Sequence, residues 1–115
     1  MKDEIKDKWI AALESGEFEQ EQGALATVQG GHCALGVLCE LAYREGVVTR
    51  KDEHNGVESV YYGYDDSYTC LPSSVVEWAG LDCEDPKVDG VYVSYLNDKV
   101  GASFHEIALS IKEHL

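Results

Sequence analysis

Basic residues are scarce in this chain: 9 Lys and Arg stand against 22 Asp and Glu in 115 residues, a formal net charge of −13 with histidine neutral. Nearly every phosphate contact would be made against net repulsion, so no direct binding to nucleic acid or to an anionic membrane is expected. A protein with a basic surface is the better partner, although acid excess also serves simply to keep a small protein dispersed. Proline is rarer still, with 2 residues, and no low-complexity tract, internal repeat or long linker interrupts the chain. No apolar run approaches the roughly 18–20 residues of a membrane span. The start, Met1-Lys2-Asp3-Glu4, has no apolar stretch of the secretory kind, so a cytoplasmic location is expected. Neither G-x-x-x-x-G-K-[ST] nor G-x-G-x-x-G occurs, which excludes P-loop nucleotide hydrolysis. The closely spaced cysteine pairs of a zinc site are missing as well, so no metal and no cofactor is expected.

Four cysteines are present, Cys33, Cys39, Cys70 and Cys83. On one helix Cys33 and Cys39 would face opposite sides, about 9 Å apart along the axis and too far for a bridge. In a reducing compartment all four are expected as free thiols, mostly buried. The stretch from Cys33 to Ala42 carries a single charge, Glu40. A run that apolar in so acidic a chain belongs inside the fold.

The pattern predicts one α+β domain over 1–115, about four helices around a small antiparallel sheet, with the helix at 33–45 central. Ile5, Trp9 and Leu13 mark a first helix that stops at Ser15-Gly16. Glu17 to Gln22 reads as a polar connector from which Phe18 tucks back on the core. Ala24 to Val28 reads as one short strand before Gly30-Gly31. Val47 to Tyr68 is β-rich, broken into a hairpin at Asn55-Gly56. A third helix starts near Pro72 and closes at Gly80. Asp89-Gly90 signals a turn before a strand at Val91 to Leu96. Ser103 and Glu106 fit a capping box opening the last helix, with Phe104, Ile107, Ala108 and Ile111 as its apolar stripe.

Several blocks occur together and in order. They are Trp9 to Gly16 followed by Gln20 or Gln22, Cys33 to Ala42, Leu71 to Leu81, Leu96-Asn97-Asp98, and Ser103 to Ala108. Together they resemble an uncharacterised family of small tailed-phage proteins with the blocks C-x-L-G-V-L-C-x-L-A, L-P-x-x-V-x-x-W-x-G-L and L-N-D before S-F-x-x-I-A. Ala34 departs from that pattern, since many members carry a second cysteine at or beside this position. The resemblance implies a phage gene acting in a host cytoplasm. It transfers no activity and no catalytic residue.

Three readings of function follow. The first is an accessory protein that binds and inhibits a host protein with a basic surface, in counter-defence, its acidic exterior imitating a nucleic-acid backbone. Its expected contact strip is Tyr61, Tyr62, Tyr64, Asp65, Asp66 and Tyr68, because aromatic and acidic residues interleave there. The second is a cysteine hydrolase. Cys33 at a helix N-terminus behind Gly30-Gly31 would be the nucleophile, with His105 or His54 as base, Asn97 or Asp98 as orienting group, and Gln22 or Gln29 upstream. His32 is less apt, because side chains adjacent at a helix start diverge. The bland reading of Cys33 is a packed helix-start residue, and that of Asn97-Asp98 is an Asx-turn bonding local amides. The third is a sponge for a small signalling molecule, disfavoured for nucleotides because only Arg44 and Arg50 supply guanidinium groups. Asp82, Glu84, Asp85 and Asp89 read as a solvated acidic loop whose spacing does not match a calcium loop.

Overall fold

The apolar Cys33–Ala42 run becomes the helix against which the other elements pack. The computed structural model describes residues 1–54 and 57–115, and the side chains of all of these except 52–54 and 57–59. The order is α1 (Asp3–Glu14), β1 (Glu19–Gln20), β2 (Ala26–Thr27), β3 (Gly31–His32), α2 (Ala34–Arg44), β4 (Arg50–His54), β5 (Val57–Tyr64), α3 (Ser73–Ala79), β6 (Lys87–Val88), β7 (Val91–Tyr92), α4 (Val93–Tyr95), a π-helical turn (Leu96–Val100) and α5 (Phe104–His114). This is an α+β fold, as the sequence pattern predicts. The expected turn at Asn55-Gly56 lies outside the described residues.

Five strands form one sheet in the order β1-β3-β2-β5-β4, and β6 and β7 form a separate hairpin. The main sheet is antiparallel except for β1 and β3, which run parallel with Gln20 opposite His32. The expected connector at Glu17–Gln22 thus contains β1, and the expected strand at Ala24–Val28 narrows to β2. Strands of two residues are too short to show a period-2 pattern in sequence.

Helix α2 is buried on nearly every side, with Ala34, Leu35, Gly36, Val37, Leu38, Cys39, Glu40 and Ala42 all inside. Taking Leu35, Val37 and Leu38 out of water contributes roughly 1.5–3 kcal/mol each. Helix α1 supplies Ile5, Trp9, Ala12 and Leu13 to the same core, and the Trp9 indole donates to the Ala34 carbonyl at 2.9 Å. Helix α5 brings Phe104, Ile107, Ala108 and Ile111 behind the predicted capping box, with Ser103 and Glu106 each holding the other's backbone N–H. Phe18 is buried as expected.

The expected strand at Val91–Leu96 ends at Tyr92. Asp89 and Gly90 both adopt left-handed φ, +51° and +78°, which makes the predicted tight turn between β6 and β7. Val93 is then drawn into the core with no exposed surface. The backbone coils through α4 into the π turn, which closes at Gly101 with φ +75°. Burial of Val93 and Asn97 overrides the β preference of Val91-Tyr92-Val93.

One glycine makes the central packing possible. A Cβ on Gly36 would lie 1.6 Å from the Leu25 carbonyl oxygen, the same oxygen that accepts the Cys33 N–H at 3.1 Å. Gly36→Ala is therefore expected to destabilise the fold by about 3 kcal/mol or more, since backbone rather than a movable side chain must give way. Urea unfolding measures it, and a loss below about 1 kcal/mol would contradict this account of the packing.

Candidate functional site

Cys33 is the N-cap of α2, and its sulfur accepts the Gly36 N–H at 3.3 Å. A helix N-terminus favours a thiolate, but here desolvation wins. Burial pushes the thiol up to about 11, so it stays protonated at neutral pH and only 5% of the residue meets solvent. Cys33 is more than filler, because it does the work of the usual Ser, Thr, Asp or Asn cap.

The other members of the proposed cysteine centre divide. Asn97 and Asp98 do gather at the start of α2. His105 does not: it stands exposed on α5 with Nδ1 2.7 Å from Glu14 of α1. The side chain of His54 lies outside the described residues. His32 lies edge-on against Phe18, with ring centroids 4.9 Å apart, and its Nδ1 is 3.1 Å from the Gly30 carbonyl. Its Nε2 is buried without a hydrogen-bond partner, and desolvation lowers its pKa, which keeps the ring neutral. Among the described residues no imidazole is hydrogen-bonded to the Cys33 thiol.

Asn97 corrects the Asx-turn expectation. Fully buried in the π turn, it accepts from Gln20 Nε2 at 2.9 Å and from the Ala34 N–H at 3.1 Å through Oδ1. Its Nδ2 donates to the Glu21 carbonyl and to Asp98, each at 2.8 Å. All four hydrogen-bonding positions of the amide are filled, three of them by distant elements. Asp98 also accepts the Gly23 N–H at 3.1 Å. The pair ties β1, α2 and the π turn together.

The aromatic and acidic strip is corrected too, since its residues do not share one surface. Tyr64 is fully buried and donates its hydroxyl to Glu40 at 2.9 Å. Burial and the Glu40 charge raise the Tyr64 pKa. Asp65 and Asp66, at φ +48° and +66°, form a two-residue turn between Tyr64 and Ser67, which exchange both backbone bonds at 2.9 Å. The Asp65 carboxylate accepts from Ser74 at 2.6 Å and from the Thr49 amide and hydroxyl at 2.8 Å each. These bonds lower its pKa. Asp66 lies 3.5 Å from Lys51. The Tyr68 ring lies so close over Gly63 that any Cβ there would be 2.6 Å from it. Tyr61 faces the side of the sheet away from Tyr64 and is exposed.

The centre of this region is a residue the sequence marks only as the lone charge of its run. Glu40, 7% exposed, receives Arg50 Nη1 on both oxygens at 2.9 and 3.1 Å. Arg44 Nε approaches it at 3.7 Å. The Arg50 guanidinium lies between two rings, 4.2 Å from the Tyr43 centroid and 4.6 Å from that of Tyr62. Arg44 in turn reaches Glu17 and lies 5.2 Å from the Phe18 ring. Both guanidinium groups of the chain are thus committed internally, which counts against a nucleotide sponge.

A cavity of about 660 Å³ opens beside the acidic loop, between Met1, Leu81, Pro86, Tyr92 and Leu115. Asp85 is not freely solvated, because its carboxylate accepts from the Ser94 amide and hydroxyl. Among the described residues no three of His, Cys, Asp and Glu converge to hold a metal ion. Among the same residues no helix is long and apolar enough to cross a membrane.

A family model matches residues 1–115 from end to end. The chain belongs to the family described as Domain of unknown function (DUF8296). Neither a curated protein nor a solved structure matches it.

Two outcomes test this centre of the DUF8296 chain. Glu40→Ala leaves Arg50 and the Tyr64 hydroxyl without their acceptor, and should cost about 3–5 kcal/mol in chemical unfolding. His32 carries a pH dependence. Its folded pKa lies below the ordinary 6.5, so the unfolded chain binds the proton more readily. Its contribution is present above about pH 6.5 and is lost as pH falls through that value toward the folded pKa. The groups acting on it are Glu40, Arg50 and Arg44, with Glu17 also coupled. The urea midpoint should therefore fall between about pH 7 and pH 5, and His32→Phe should flatten that fall. Asp65 and Glu17 lose their contributions only below their ordinary values of 3.8 and 4.5.

Proposed function

We propose that this chain is a non-catalytic binding protein that docks on the basic surface of another protein. In the phage setting implied by the sequence blocks, that other protein is a cytoplasmic host protein, and docking inhibits it in counter-defence. What carries the reading is where the charge goes. Of the 9 basic side chains, Lys8, Arg44, Arg50 and Lys51 are held in ion pairs, and Lys87 lies 4.8 Å from the Tyr92 ring. The acidic excess is left facing outward, as in a surface that steers toward positive charge. The sealed, protonated Cys33 supports the same reading, because it withholds the one thiol placed like a nucleophile.

Capture of the target from host extract should weaken steeply as salt rises from about 0.05 M to about 0.3 M, where screening shortens to a few ångströms. Cys33→Ser should leave capture and inhibition unchanged, since Ser caps a helix at least as well. Charge reversal at the exposed Glu19 and Asp82 should weaken both. Loss of the inhibitory effect in Cys33→Ser, with the charge reversals silent, would overturn the proposal.

A further inference from the structure

The sheet carries an open face that the acidic surface alone does not explain. Strand pairing places Ala26 opposite Tyr62 and Thr27 opposite Tyr61, and the Val28 N–H donates to the Val60 carbonyl at 2.9 Å. Val28, Val60 and Tyr62 therefore share one side of the sheet, the side on which Tyr64 reaches Glu40 of α2. Along this side Tyr64 is fully buried, Tyr62 half-buried and Val60 largely open to solvent. Val60 is 61% exposed, Val28 39% and Tyr43, at the end of α2, 37%. Arg50, stacked between Tyr43 and Tyr62, joins these into one patch and holds both rings in place.

We propose that the face of Val28, Tyr43, Val60 and Tyr62 around Arg50 is a docking surface for a basic protein that presents an apolar side chain flanked by Lys or Arg. The inference rests on the reading that the chain binds a basic protein, and it names where and through what chemistry. Tyrosine and arginine anchors are the residues that carry binding energy at interface centres, and here their rotamers are fixed before any partner arrives, which lowers the entropy lost on binding. Glu40 neutralises the Arg50 charge, so the patch does not repel a cationic partner. Charge complementarity selects the occupant: a second copy would bring another −13, whereas a basic rim is attracted by the net negative charge of the chain. Apolar residues exposed next to one another, rather than singly, are the kind of surface that marks an interaction site.

Two synthetic peptides of equal positive charge test this, one of Lys and Ser alone and one with a Leu-Trp-Leu centre between lysines. Each is titrated at low salt by calorimetry and by backbone amide NMR into the native chain and into Val28→Ser/Val60→Ser. The melting temperature of that variant serves as the fold control, and Val60→Lys alone gives the same readout should the pair of changes unfold the chain. The apolar-centred peptide should bind about tenfold more tightly, shift the amides of Val28, Tyr43, Val60 and Tyr62, and lose that advantage in the variants. Equal binding of both peptides, or shifts confined to the acidic loop at 82–89, would overturn this face while leaving acidic docking intact. Failure of both peptides to bind would instead overturn the docking reading itself. A dimer in sedimentation that Val60→Lys dissolves would place a second copy on the face and overturn the choice of occupant.

Discussion

The contact between the first turn of α2 and the backbone at Leu25 is the constraint on which the rest of the molecule depends. With a bare Cα at Gly36, the helix settles directly on a carbonyl that already accepts the Cys33 amide. That seating draws the Ala34 backbone into the interior. A buried residue must satisfy both its backbone donor and its backbone acceptor, and partners for both come from elsewhere: Trp9 of α1 donates to the carbonyl and Asn97 of the π turn accepts from the amide. Segments far apart in sequence are thereby fixed to one residue of α2. The Cys33 sulfur closes the end of the helix, and this is why it is inaccessible. A thiol used as a cap in so tight a seat cannot also face a cleft.

The other end of α2 solves a different problem. Glu40 is a carboxylate inside a core, and an unpaired charge there would cost several kcal/mol. Besides Arg44 of its own helix, its hydrogen-bond partners come from β4 and β5, so the full offset needs these two strands in register beside the helix. A buried ion pair adds little net stability over an apolar substitute of similar shape, and its gain here is positional. It aligns Arg50 with Tyr43 and Tyr62 and builds an ordered aromatic stack at the rim of the core. Beyond it along β5 the same side of the sheet is open at Val60.

Much of the fold was legible because its signals are local. The cap at Ser103 and Glu106, the turn at Asp89-Gly90 and the central position of the Cys33–Ala42 run each depend on neighbouring residues alone. The cysteine itself was half legible: a helix start was readable, but the desolvation that raises its pKa comes from everything packed around it. Asn97 was misread because local amides are the default partners of such a side chain, while its bonds to Gln20, Glu21 and Ala34 span more than sixty positions. Glu40 was conspicuous as a lone charge, yet nothing in its own segment names Tyr64 or Arg50. The tyrosine strip failed for a geometric reason. The two left-handed residues at Asp65-Asp66 reverse the chain, so Tyr61 to Tyr68 is a strand, a turn and a return rather than one continuous face.

These two ends of α2 also bear on what the surface is for. Like charges on a compact chain repel one another, so acid excess weakens the folded state rather than supporting it. The described interior does not need that excess, since its buried polar groups find partners within the chain except His32 Nε2. Nor is the excess balanced locally, because four of the nine cations, Lys8, Arg44, Arg50 and Lys51, are already held by Glu4, Glu17, Glu40, Glu45 and Asp66. Such a surface costs stability while keeping the chain dispersed, and under the proposed docking function it is also used when positive charge is brought from outside. Under the docking function proposed above, an apolar patch set in such a surface would divide the labour with it: the field would bring a basic partner near, and the patch would decide which basic partner stays.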